Sequence, residues 1–385
     1  MTRPLRVVDS AQAEAVLEAV RDVLSGTGPA VLPRDTGSSA GADAARSPAI
    51  VPQNVALVVE TSGSTGVPKR VALSADALLA SAAASASALG GQGQWLLALP
   101  AHYVAGVQVL VRSVAAGTDP LMLPPGHFDP VAFADLAASM TADARFVSLV
   151  PVQLARLLDA AEENPHVLDA LRAFDGILVG GQALAPTLRQ RADARGVALT
   201  ATYGSSETAG GCVYNGIPIG STVVRSVRGL LEIAGPTLAE GYLDDPARTD
   251  DAFHVDAGHR WYRTGDLGHL DEGTVVVTGR ADNVIISGGE KVLLDAVERI
   301  VRAQPGFEHA VVLARSSSEW GQVPVVVVDS PSTVDLAALR SVVGDALGRA
   351  AAPAGIVRLV RLPMLASGKP DRVAITRLLD VPPVT

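Results

Sequence analysis

The sequence predicts an α/β protein with a large N-terminal domain and a small α+β C-terminal domain. Apolar segments of strand length alternate with segments of helical composition between residues 55 and 202. This alternation is typical of βαβ units, which form mostly parallel sheets covered by helices on both faces. From about residue 225 to residue 280 the helical pattern fades, and Gly, Asp and Pro separate short strand-like segments. A small β-rich subdomain is predicted there.

The predicted elements of the large domain follow in order. Helical spacing predicts a first helix at 11–25, and the Pro-, Gly- and Ser-rich segment 29–52 predicts an irregular connection. Strands are predicted at 55–59, 95–99, 121–123, 146–150, 176–179 and 197–202, and helices at 75–89, 104–116, 130–140, 152–161 and 186–194. The strand-like segments of the β-rich subdomain are 230–233, 241–243 and 274–277.

The character of the sequence changes again after Asp282. Apolar residues at helical spacing between 292 and 301 predict an amphipathic helix. Strands are then predicted at 310–314 and 323–328, a helix at 336–347, a strand at 355–359 and a last helix from about residue 372. This unit of roughly 100 residues is large enough for a domain of its own. We therefore expect domains at 1–281 and 282–385, with the β-rich part at about 225–280.

Composition and charge exclude several classes of protein. The chain is 48% hydrophobic and 18% charged, which is typical of a globular protein and not of a disordered one. A net charge of −9 argues against nucleic-acid binding. The single cysteine, Cys212, excludes an intramolecular disulfide. The most apolar long stretch, 95–117, contains His102, Gln108 and Arg112, so stable membrane insertion is not expected. We expect a cytoplasmic protein, and its oligomeric state, including a homo-oligomer, stays open.

The segment Thr61-Ser62-Gly63-Ser64-Thr65-Gly66-Val67-Pro68-Lys69 follows the predicted strand 55–59 directly. Glycines and small hydroxyl residues expose backbone N–H groups, and a lysine adds a cation that suits a polyphosphate. The segment is not a Walker A loop, because no Gly precedes the lysine and no Ser or Thr follows it. As a generic glycine-rich loop, it fits a surface turn as well as a phosphate site.

In full, this segment resembles the phosphate loop of the adenylate-forming superfamily, which includes acyl-CoA synthetases, luciferases and peptide-synthetase adenylation domains. Five further segments resemble motifs of the same family in the expected order: Leu99-Pro100-Ala101-His102, Tyr203-Gly204-Ser205-Ser206-Glu207-Thr208, Tyr262-Arg263-Thr264-Gly265-Asp266, Gly279-Arg280-Ala281-Asp282 with Ser287-Gly288-Gly289-Glu290-Lys291-Val292, and Ser367-Gly368-Lys369. The resemblance implies a large N-terminal domain and a small mobile C-terminal one. Because Thr61 is reached early, it also implies that the large domain is trimmed at its N-terminus.

The resemblance also implies residues for catalysis and for the metal. Lys369 would meet the substrate carboxylate and the α-phosphate of ATP as negative charge develops. Glu207, together with Thr65, would hold the Mg²⁺ that bridges the phosphates. His102 would belong to the catalytic set as the histidine of the acid pocket, and Asp282 would be the hinge between the domains.

Further residues are implied for the ligands. Asp266 would accept hydrogen bonds from the ribose hydroxyls, and Arg280 would reinforce this contact. The other contacts to ATP and coenzyme A would come from Thr61, Ser62, Gly63, Ser64, Thr65, Gly66, Lys69, Gly180, Gly181, Tyr203, Gly204, Thr208, Gly288 and Gly289. The acid would contact His102, Ser206 and Gly210. Arg112, on the helix after His102, is a candidate partner for a second carboxylate of the acid.

Six of these residues have a purely structural alternative, which for Arg280 is a surface cation. Glu207 and Lys369 are also compatible with a solvated loop acid and an exposed lysine. Asp266, which we place in a polar turn, is compatible with an Asx turn. Arg112 is compatible with an exposed helical arginine, and His102 with a structural histidine.

Two segments indicate which group of ligases within the superfamily the sequence resembles most. The segments Leu99–Gly106 and Gly210–Tyr214 look most like those of the o-succinylbenzoate–CoA ligases of menaquinone biosynthesis. The implied reaction uses ATP with Mg²⁺ to form an acyl-adenylate and pyrophosphate, and then coenzyme A to form a thioester and AMP. Three alternatives stay open: a CoA ligase for another aryl or fatty acid, an enzyme that loads a carrier protein, and a catalytically dead nucleotide-binding homologue.

Overall fold

The structure, a computed structural model, describes residues 1–37, 49–61, 69–329, 335–365 and 369–379. Its strands are β1 (Thr2–Asp9), β2 (Ala30–Arg34), β3 (Ile50–Pro52), β4 (Val55–Thr61), β5 (Lys69–Ser74), β6 (Gln94–Leu97), β7 (Leu121–Met122), β8 (Arg145–Leu149), β9 (Gly176–Val179), β10 (Leu199–Ser205), β11 (Gly210–Tyr214), β12 (Ile217–Pro218), β13 (Val223–Val227), β14 (Leu230–Ala234), β15 (Gly241–Tyr242), β16 (Phe253–Asp256), β17 (His259–Asp271), β18 (Thr274–Arg280), β19 (Val284–Ser287), β20 (Glu290–Leu293), β21 (Val311–Ser317), β22 (Gly321–Val328) and β23 (Gly355–Arg358). Its helices are α1 (Ala13–Leu24), α2 (Ala75–Ala88), α3 (Val104–Ala116), α4 (Pro130–Ala138), α5 (Pro151–Glu163), α6 (Pro165–Arg172), α7 (Pro186–Asp193), α8 (Pro246–Ala252), α9 (Leu294–Arg302), α10 (Leu336–Leu347) and α11 (Arg372–Leu379).

The chain divides into two compact units. The first comprises residues 1–224, 232–263 and 272–275, and the second comprises residues 225–231, 264–271 and 276–385. The β-rich part of the chain therefore contributes segments to both units. Its strands form a sheet in the order β13-β14-β17-β16, with β18 beside β17. None of the helices in the described ranges combines the length and hydropathy that a membrane span requires.

The first unit contains the mostly parallel sheet that the βαβ pattern predicts. The sheet has seven strands in the order β12-β11-β10-β9-β8-β6-β7. The neighbours from β10 to β7 are parallel, whereas β11 and β12 continue the sheet antiparallel. Helices α4 to α6 contribute apolar side chains to a core that includes Phe133, Leu154 and Leu171, and this core packs against Leu96 and Val147 of the sheet. The α/β fold class is confirmed.

A six-stranded sheet in the first unit has the order β15-β5-β4-β2-β1-β3. Only its pairs β1–β2 and β2–β4 are parallel, so this sheet is mixed. The prediction of an irregular connection at 29–52 is wrong at both ends, because β2 and β3 lie there. The sequence reading also missed β1 and β5. The segment Gly241–Tyr242, predicted for the β-rich subdomain, instead pairs with Val71 and Ala72 at the edge of this sheet.

The second unit contains a sheet in the order β20-β19-β22-β21, with β23 parallel to β22. Helices α9 and α10 cover it through a core that includes Val297, Val301, Phe307, Leu339 and Val343. The amphipathic helix predicted from residue 292 starts at Leu294, because Val292 and Leu293 complete the β19–β20 hairpin. The other predicted elements of this unit are confirmed.

Candidate active site

Parallel strands β9 and β10 end at the same edge of the seven-stranded sheet, with Val179 opposite Ala201. Gly180 follows β9, and a Cβ atom at this position would collide with the Thr202 hydroxyl. Gly181 has φ +81°, a backbone conformation that is unfavourable for residues with a Cβ atom. Ligands of open α/β sheets bind at this edge, beyond the carboxyl ends of the strands. Gly180, Gly181 and Tyr203 are therefore placed where the sequence reading expects nucleotide contacts.

Glu207 lies in a single 3₁₀ turn, Ser206–Thr208, that follows β10 directly. Its side chain is 6% exposed, so the alternative of a solvated loop acid is wrong. One carboxylate oxygen, Oε1, accepts a 2.8 Å hydrogen bond from the Tyr242 hydroxyl, and the backbone oxygen accepts one from Ala239 N. A buried carboxylate needs such partners, because leaving it without them costs free energy.

The turn after Glu207 is held by side chains from two helices. Ala209 has φ +51°, a left-handed conformation that is unfavourable for a residue with a Cβ atom. Its carbonyl oxygen accepts hydrogen bonds from Ser81 of α2 at 2.9 Å and from Gln108 of α3 at 2.7 Å. The Thr208 hydroxyl is also used inside the turn, because it lies 2.9 Å from Ser205 N and 2.7 Å from Gly210 O. The fold therefore fixes the backbone on either side of the carboxylate.

Ser206, Gly204 and Gly210 belong to the same turn region. Ser206 is buried, and its carbonyl oxygen accepts the Ala209 N–H. A Cβ atom on Gly204 would collide with the Gly210 carbonyl group, and Gly210 has φ +101° beside Gln108. These glycines permit the close approach of the paired strands β10 and β11.

Thr61 and Lys69 lie directly opposite each other, at the end of β4 and the start of β5. The residues between them, including Ser62, Gly63, Ser64, Thr65 and Gly66, lie outside the described residues. Beside this pair, Glu60 accepts hydrogen bonds from Arg34 at 2.6 and 2.8 Å and from Arg70 at 3.2 Å. Burial raises the pKa of Glu60, but the two guanidinium groups outweigh it and hold that pKa below its ordinary value.

Tyr242 connects this strand pair to Glu207, and the sequence reading did not assign it any role. Lys69 Nζ lies 5.6 Å from the centroid of the Tyr242 ring, and the Tyr242 hydroxyl donates to Glu207. The sequence around Tyr242 predicts only the short strand-like segment 241–243. This pattern does not indicate a hydrogen bond to a residue 35 positions away.

His102 lies two residues before α3, with Nδ1 2.9 Å from the Ser10 hydroxyl. Burial lowers the pKa of His102, and the negative charge of Asp35 opposes this shift. The imidazole is therefore mainly neutral at neutral pH, which suits a group that packs against a bound acid. Ser10 was not identified from the sequence, because nothing in its surroundings marks a contact with a residue 92 positions away.

The interpretation of Arg112 as an exposed helical arginine is wrong, because only 6% of the residue is exposed. Its guanidinium carbon lies 4.8 Å from the centroid of the Trp95 ring, and Nη1 lies 3.5 Å from the Ser148 hydroxyl. Burial lowers the pKa of Arg112, yet an arginine stays charged in proteins. Among the described residues, no carboxylate pairs with it, and its Nε is buried without a hydrogen-bond partner.

Asp266, Arg280 and Asp282 form a cluster in the second unit. Arg280 lies 3.0 Å from Asp266 and 3.1 Å from Asp282, so its guanidinium bridges the two carboxylates. Burial opposes the charge of Arg280, but both carboxylates favour it and raise the pKa of Arg280. Asp266 lies within β17 and not in the predicted turn, although Gly265 before it has φ +72°. The structure thus joins the predicted ribose contact and the predicted hinge residue through Arg280.

Gly288 and Gly289 form the two-residue turn between β19 and β20, with φ +57° and +86°. A turn with positive φ at both central residues matches the twist of a hairpin and favours glycine. The turn geometry therefore explains why glycines occupy both positions, independently of the predicted contact with coenzyme A. Lys369 is exposed, and its carbonyl oxygen accepts the Leu365 N–H at 2.8 Å. It lies between β23 and α11, as predicted.

The surroundings of Glu207 fit a Mg²⁺ ion that arrives with a nucleotide. Oε1 is occupied by Tyr242, whereas Oε2 has no hydrogen-bond partner among the described residues. The described residues contain no cluster of three His, Cys, Asp or Glu side chains that could hold a metal by themselves. Mg²⁺ is commonly held by one or two carboxylates together with substrate phosphates, which agrees with a single free carboxylate oxygen.

Two family profiles match the chain. The profile of the AMP-binding enzyme family matches residues 5–229, and that of the AMP-binding enzyme C-terminal domain matches residues 296–369. A protein of Mycobacterium tuberculosis strain H37Rv named "Probable 2-succinylbenzoate--CoA ligase" is 37% identical over 383 residues, which cover 97% of this chain and 98% of the relative. A 2-succinylbenzoate–CoA ligase of Listeria monocytogenes serotype 4b is 31% identical over 82% of this chain and 68% of the relative.

The fold is also similar to that of solved structures. The o-succinylbenzoate CoA synthetase of Bacillus subtilis, in complex with the acyl-adenylate intermediate OSB-AMP, has a TM-score of 0.77 at 24% identity, covering 98% of this chain and 83% of that chain. At this identity the similarity shows the fold alone. The family profiles and the full-length relative settle the membership: the chain belongs to the AMP-binding enzyme family, the adenylate-forming superfamily that its motifs resemble.

Proposed function

We propose that this protein is an AMP-forming acid–CoA ligase that converts o-succinylbenzoate to o-succinylbenzoyl-CoA. The relatives of 37% and 31% identity bear the name of this activity, and they support the choice of acid. The observation in the structure that carries it is the buried cation of Arg112. A charge that is removed from water without a carboxylate partner favours an anionic ligand, and the acid offers a second carboxylate that does not react.

The first half-reaction activates the acid. A carboxylate oxygen attacks the α-phosphorus of ATP, the bond between the α- and β-phosphates breaks, and pyrophosphate leaves. The acyl-adenylate remains. Negative charge builds up on the phosphate oxygens, so positioned cations and N–H groups lower the barrier. We assign this role to Lys369 and to the segment from Thr61 to Lys69.

Glu207 is the residue that would hold Mg²⁺, with Thr65 as a second candidate ligand. The ion, when bound, screens the charge of the phosphates. The protein contributes a carboxylate whose position is fixed by hydrogen bonds and whose second oxygen is left for the ion. Asp266 and Arg280 are assigned to the ribose.

The second half-reaction forms the thioester. The sulfur of coenzyme A attacks the acyl carbon, the bond to the adenylate oxygen breaks, and AMP leaves as the thiol proton passes to solvent. We propose that Lys369 serves the first half-reaction only, and that the hinge at Asp282 lets the C-terminal domain present Gly288 and Gly289 to coenzyme A. The boundary between residues 281 and 282 is part of this proposal.

We assign the acid to His102, Ser206, Gly210 and Arg112. The reacting aliphatic carboxylate would point toward the nucleotide, and Arg112 would meet the aryl carboxylate. An arginine binds a carboxylate through two parallel N–H groups, which gives orientation as well as affinity. A long-chain acid would leave this buried cation without a partner.

A panel of acids tests the proposal. The purified protein is given ATP, Mg²⁺ and coenzyme A with o-succinylbenzoate, benzoate or a medium-chain fatty acid, and pyrophosphate and thioester are measured separately. We expect o-succinylbenzoate to give the highest kcat/KM and a CoA thioester that mass spectrometry identifies. Glu207→Gln is the matched inactive control, because it removes the charge and keeps the size.

Each alternative gives a different result. Benzoate or a fatty acid at least as good as o-succinylbenzoate would contradict the choice of acid and leave an acid–CoA ligase. Pyrophosphate release without a CoA thioester would indicate a carrier-protein acceptor. If no acid releases pyrophosphate, the protein is not a ligase of this kind. The cytoplasmic location stays a prediction.

A further inference from the structure

Glu207 is tied to one short segment of the first unit, residues 239–242, by two hydrogen bonds. The Tyr242 hydroxyl donates to Oε1 at 2.8 Å, and Ala239 N donates to the backbone oxygen of Glu207 at 2.8 Å. Both Glu207 and Tyr242 are buried. Side chain and main chain of the carboxylate are therefore held by the same piece of structure.

Tyr242 is itself fixed from several sides. It pairs with Val71 at the edge of the six-stranded sheet, and its N–H donates to the Thr249 hydroxyl at 2.9 Å. Its ring packs near Phe253, with centroids 6.1 Å apart, and Phe253 packs against Tyr262 at 5.1 Å. These contacts on several sides hold the position from which the Tyr242 hydroxyl donates to Glu207.

A second tyrosine extends the hydrogen-bonded chain. The Tyr262 side chain hydrogen-bonds to the Tyr242 hydroxyl, which in turn donates to Glu207. Linked hydrogen bonds in a site of low polarity strengthen each other.

We infer that Tyr242 is a positioning residue for Mg²⁺ binding: it holds Oε1 of Glu207 and thereby reserves Oε2 for the ion. This inference rests on the proposed function, in which Glu207 holds the metal. The ring of Tyr242 also lies beside Lys69 at 5.6 Å, so the same residue contacts the end of the segment assigned to the phosphates. Neither role is visible in the local sequence around Tyr242.

Equilibrium binding of ATP tests the inference without turnover. ATP is titrated into the protein by calorimetry in the absence of acid and coenzyme A, at a series of Mg²⁺ concentrations. We expect Tyr242→Phe to raise the Mg²⁺ concentration for half-maximal ATP binding by about tenfold, the scale of a lost hydrogen bond to a charged group. Thermal unfolding of each variant shows whether the fold is intact.

Tyr214→Phe is the matched control. Tyr214 is also buried in the first unit, and its hydroxyl lies 2.7 Å from the neutral Ser85 hydroxyl. This variant loses a buried hydroxyl of the same kind, so a merely structural effect would appear in both variants. We expect its Mg²⁺ dependence to stay within about twofold of the wild type.

A double-mutant cycle with Glu207→Gln separates this inference from the proposed function. If Tyr242 acts through the carboxylate, Tyr242→Phe adds less than about twofold to the Mg²⁺ requirement of Glu207→Gln. A wild-type Mg²⁺ dependence of Glu207→Gln would overturn both the metal assignment and the inference. An impaired Glu207→Gln beside a Tyr242→Phe that matches the Tyr214→Phe control would overturn the inference alone.

Tyr262→Phe keeps the test decisive if Tyr242→Phe does not fold. It removes one link of the chain and leaves the Tyr242 hydroxyl in place. We expect the Mg²⁺ requirement to rise by about threefold, since the remaining bond loses only its cooperative support. No change in this variant, together with an unfolded Tyr242→Phe, would overturn the inference.

Discussion

Glu207 and Lys369, the charged residues to which we assign the metal and the reacting phosphate, have opposite surroundings. Glu207 is 6% exposed and is held through its side chain and its main chain. Lys369 is exposed and forms no ion pair within the described ranges, although neighbouring atoms that keep water from its ammonium group lower the pKa of Lys369. A buried charge depends on its neighbours, whereas an exposed lysine keeps its freedom. One group is preorganised, and the other is free to take part in a single step.

The largest expected effect is that of Lys369→Ala. If the lysine stabilises only the transition state of the first half-reaction, adenylate formation falls by about 100- to 1000-fold. Thioester formation from supplied acyl-adenylate stays within about twofold of the wild type. Single-turnover measurements of each half-reaction check this, with Arg361→Ala as an exposed control in the same unit. Equal losses in both half-reactions would remove the contrast between the two residues.

A substitution at the hinge sharpens the contrast. Asp282→Pro fixes φ near −65°, and we expect it to slow one half-reaction by about tenfold or more while sparing the other. Asp282→Ala is the control, because it also removes the carboxylate that contacts Arg280 but leaves φ free. Both half-reactions are measured for both variants. Normal rates in a folded Asp282→Pro would place the hinge elsewhere.

A smaller effect is expected from His102, another buried group of the first unit. Because burial lowers its pKa, the unfolded chain binds the proton more tightly than the folded protein. The free energy of unfolding therefore falls as the pH drops below about 6.5, with a slope of at most about 1.4 kcal/mol per pH unit. We expect His102→Gln to lose this part of the slope in urea unfolding between about pH 7.5 and 5.5.

The exposed His259→Gln variant is the control for this slope. It removes an exposed histidine, so the comparison shows how much of the change in slope comes from the burial of His102. If His102→Gln and His259→Gln changed the pH dependence equally, the burial of His102 would have no energetic consequence.

The helices α3 and α10 can be predicted from the sequence, because residues near their ends favour helix termini. Helix α10 starts after Asp335, whose side chain accepts the Ala337 N–H, and ends before Gly348 with φ +90°. Helix α3 ends before Gly117 with φ +66°. Capping residues and a left-handed glycine act within one turn of the chain, so a local pattern identifies them.

The contacts that fix the candidate site are not local. Tyr242 reaches Glu207 because β15 pairs with β5, a strand about 170 residues earlier. No pattern around residue 242 indicates which edge it joins. The burial of Arg112 in α3 is missed for the same reason, since the Trp95 ring and the Ser148 hydroxyl that contact it come from strands β6 and β8. The motifs locate the chemistry along the chain, and the sheets decide which of its residues are buried.

The most direct test of the central claim compares two acids on two proteins. The acids are o-succinylbenzoate and an analogue in which hydrogen replaces the aryl carboxylate. The proteins are the wild type and Arg112→Met, with Arg112→Lys as a second variant that keeps the charge. Thermal unfolding confirms the fold of each variant, and kcat/KM is measured for thioester formation.

If Arg112 contacts the second carboxylate, kcat/KM of the wild type is lower for the analogue than for o-succinylbenzoate. The difference corresponds to roughly 2–5 kcal/mol in transition-state free energy, because a buried cation is left without its partner. In Arg112→Met this preference disappears, and the analogue becomes at least as good a substrate as the dicarboxylate. An analogue that the wild type accepts as well as o-succinylbenzoate would contradict the account and leave only an acid–CoA ligase of undefined substrate.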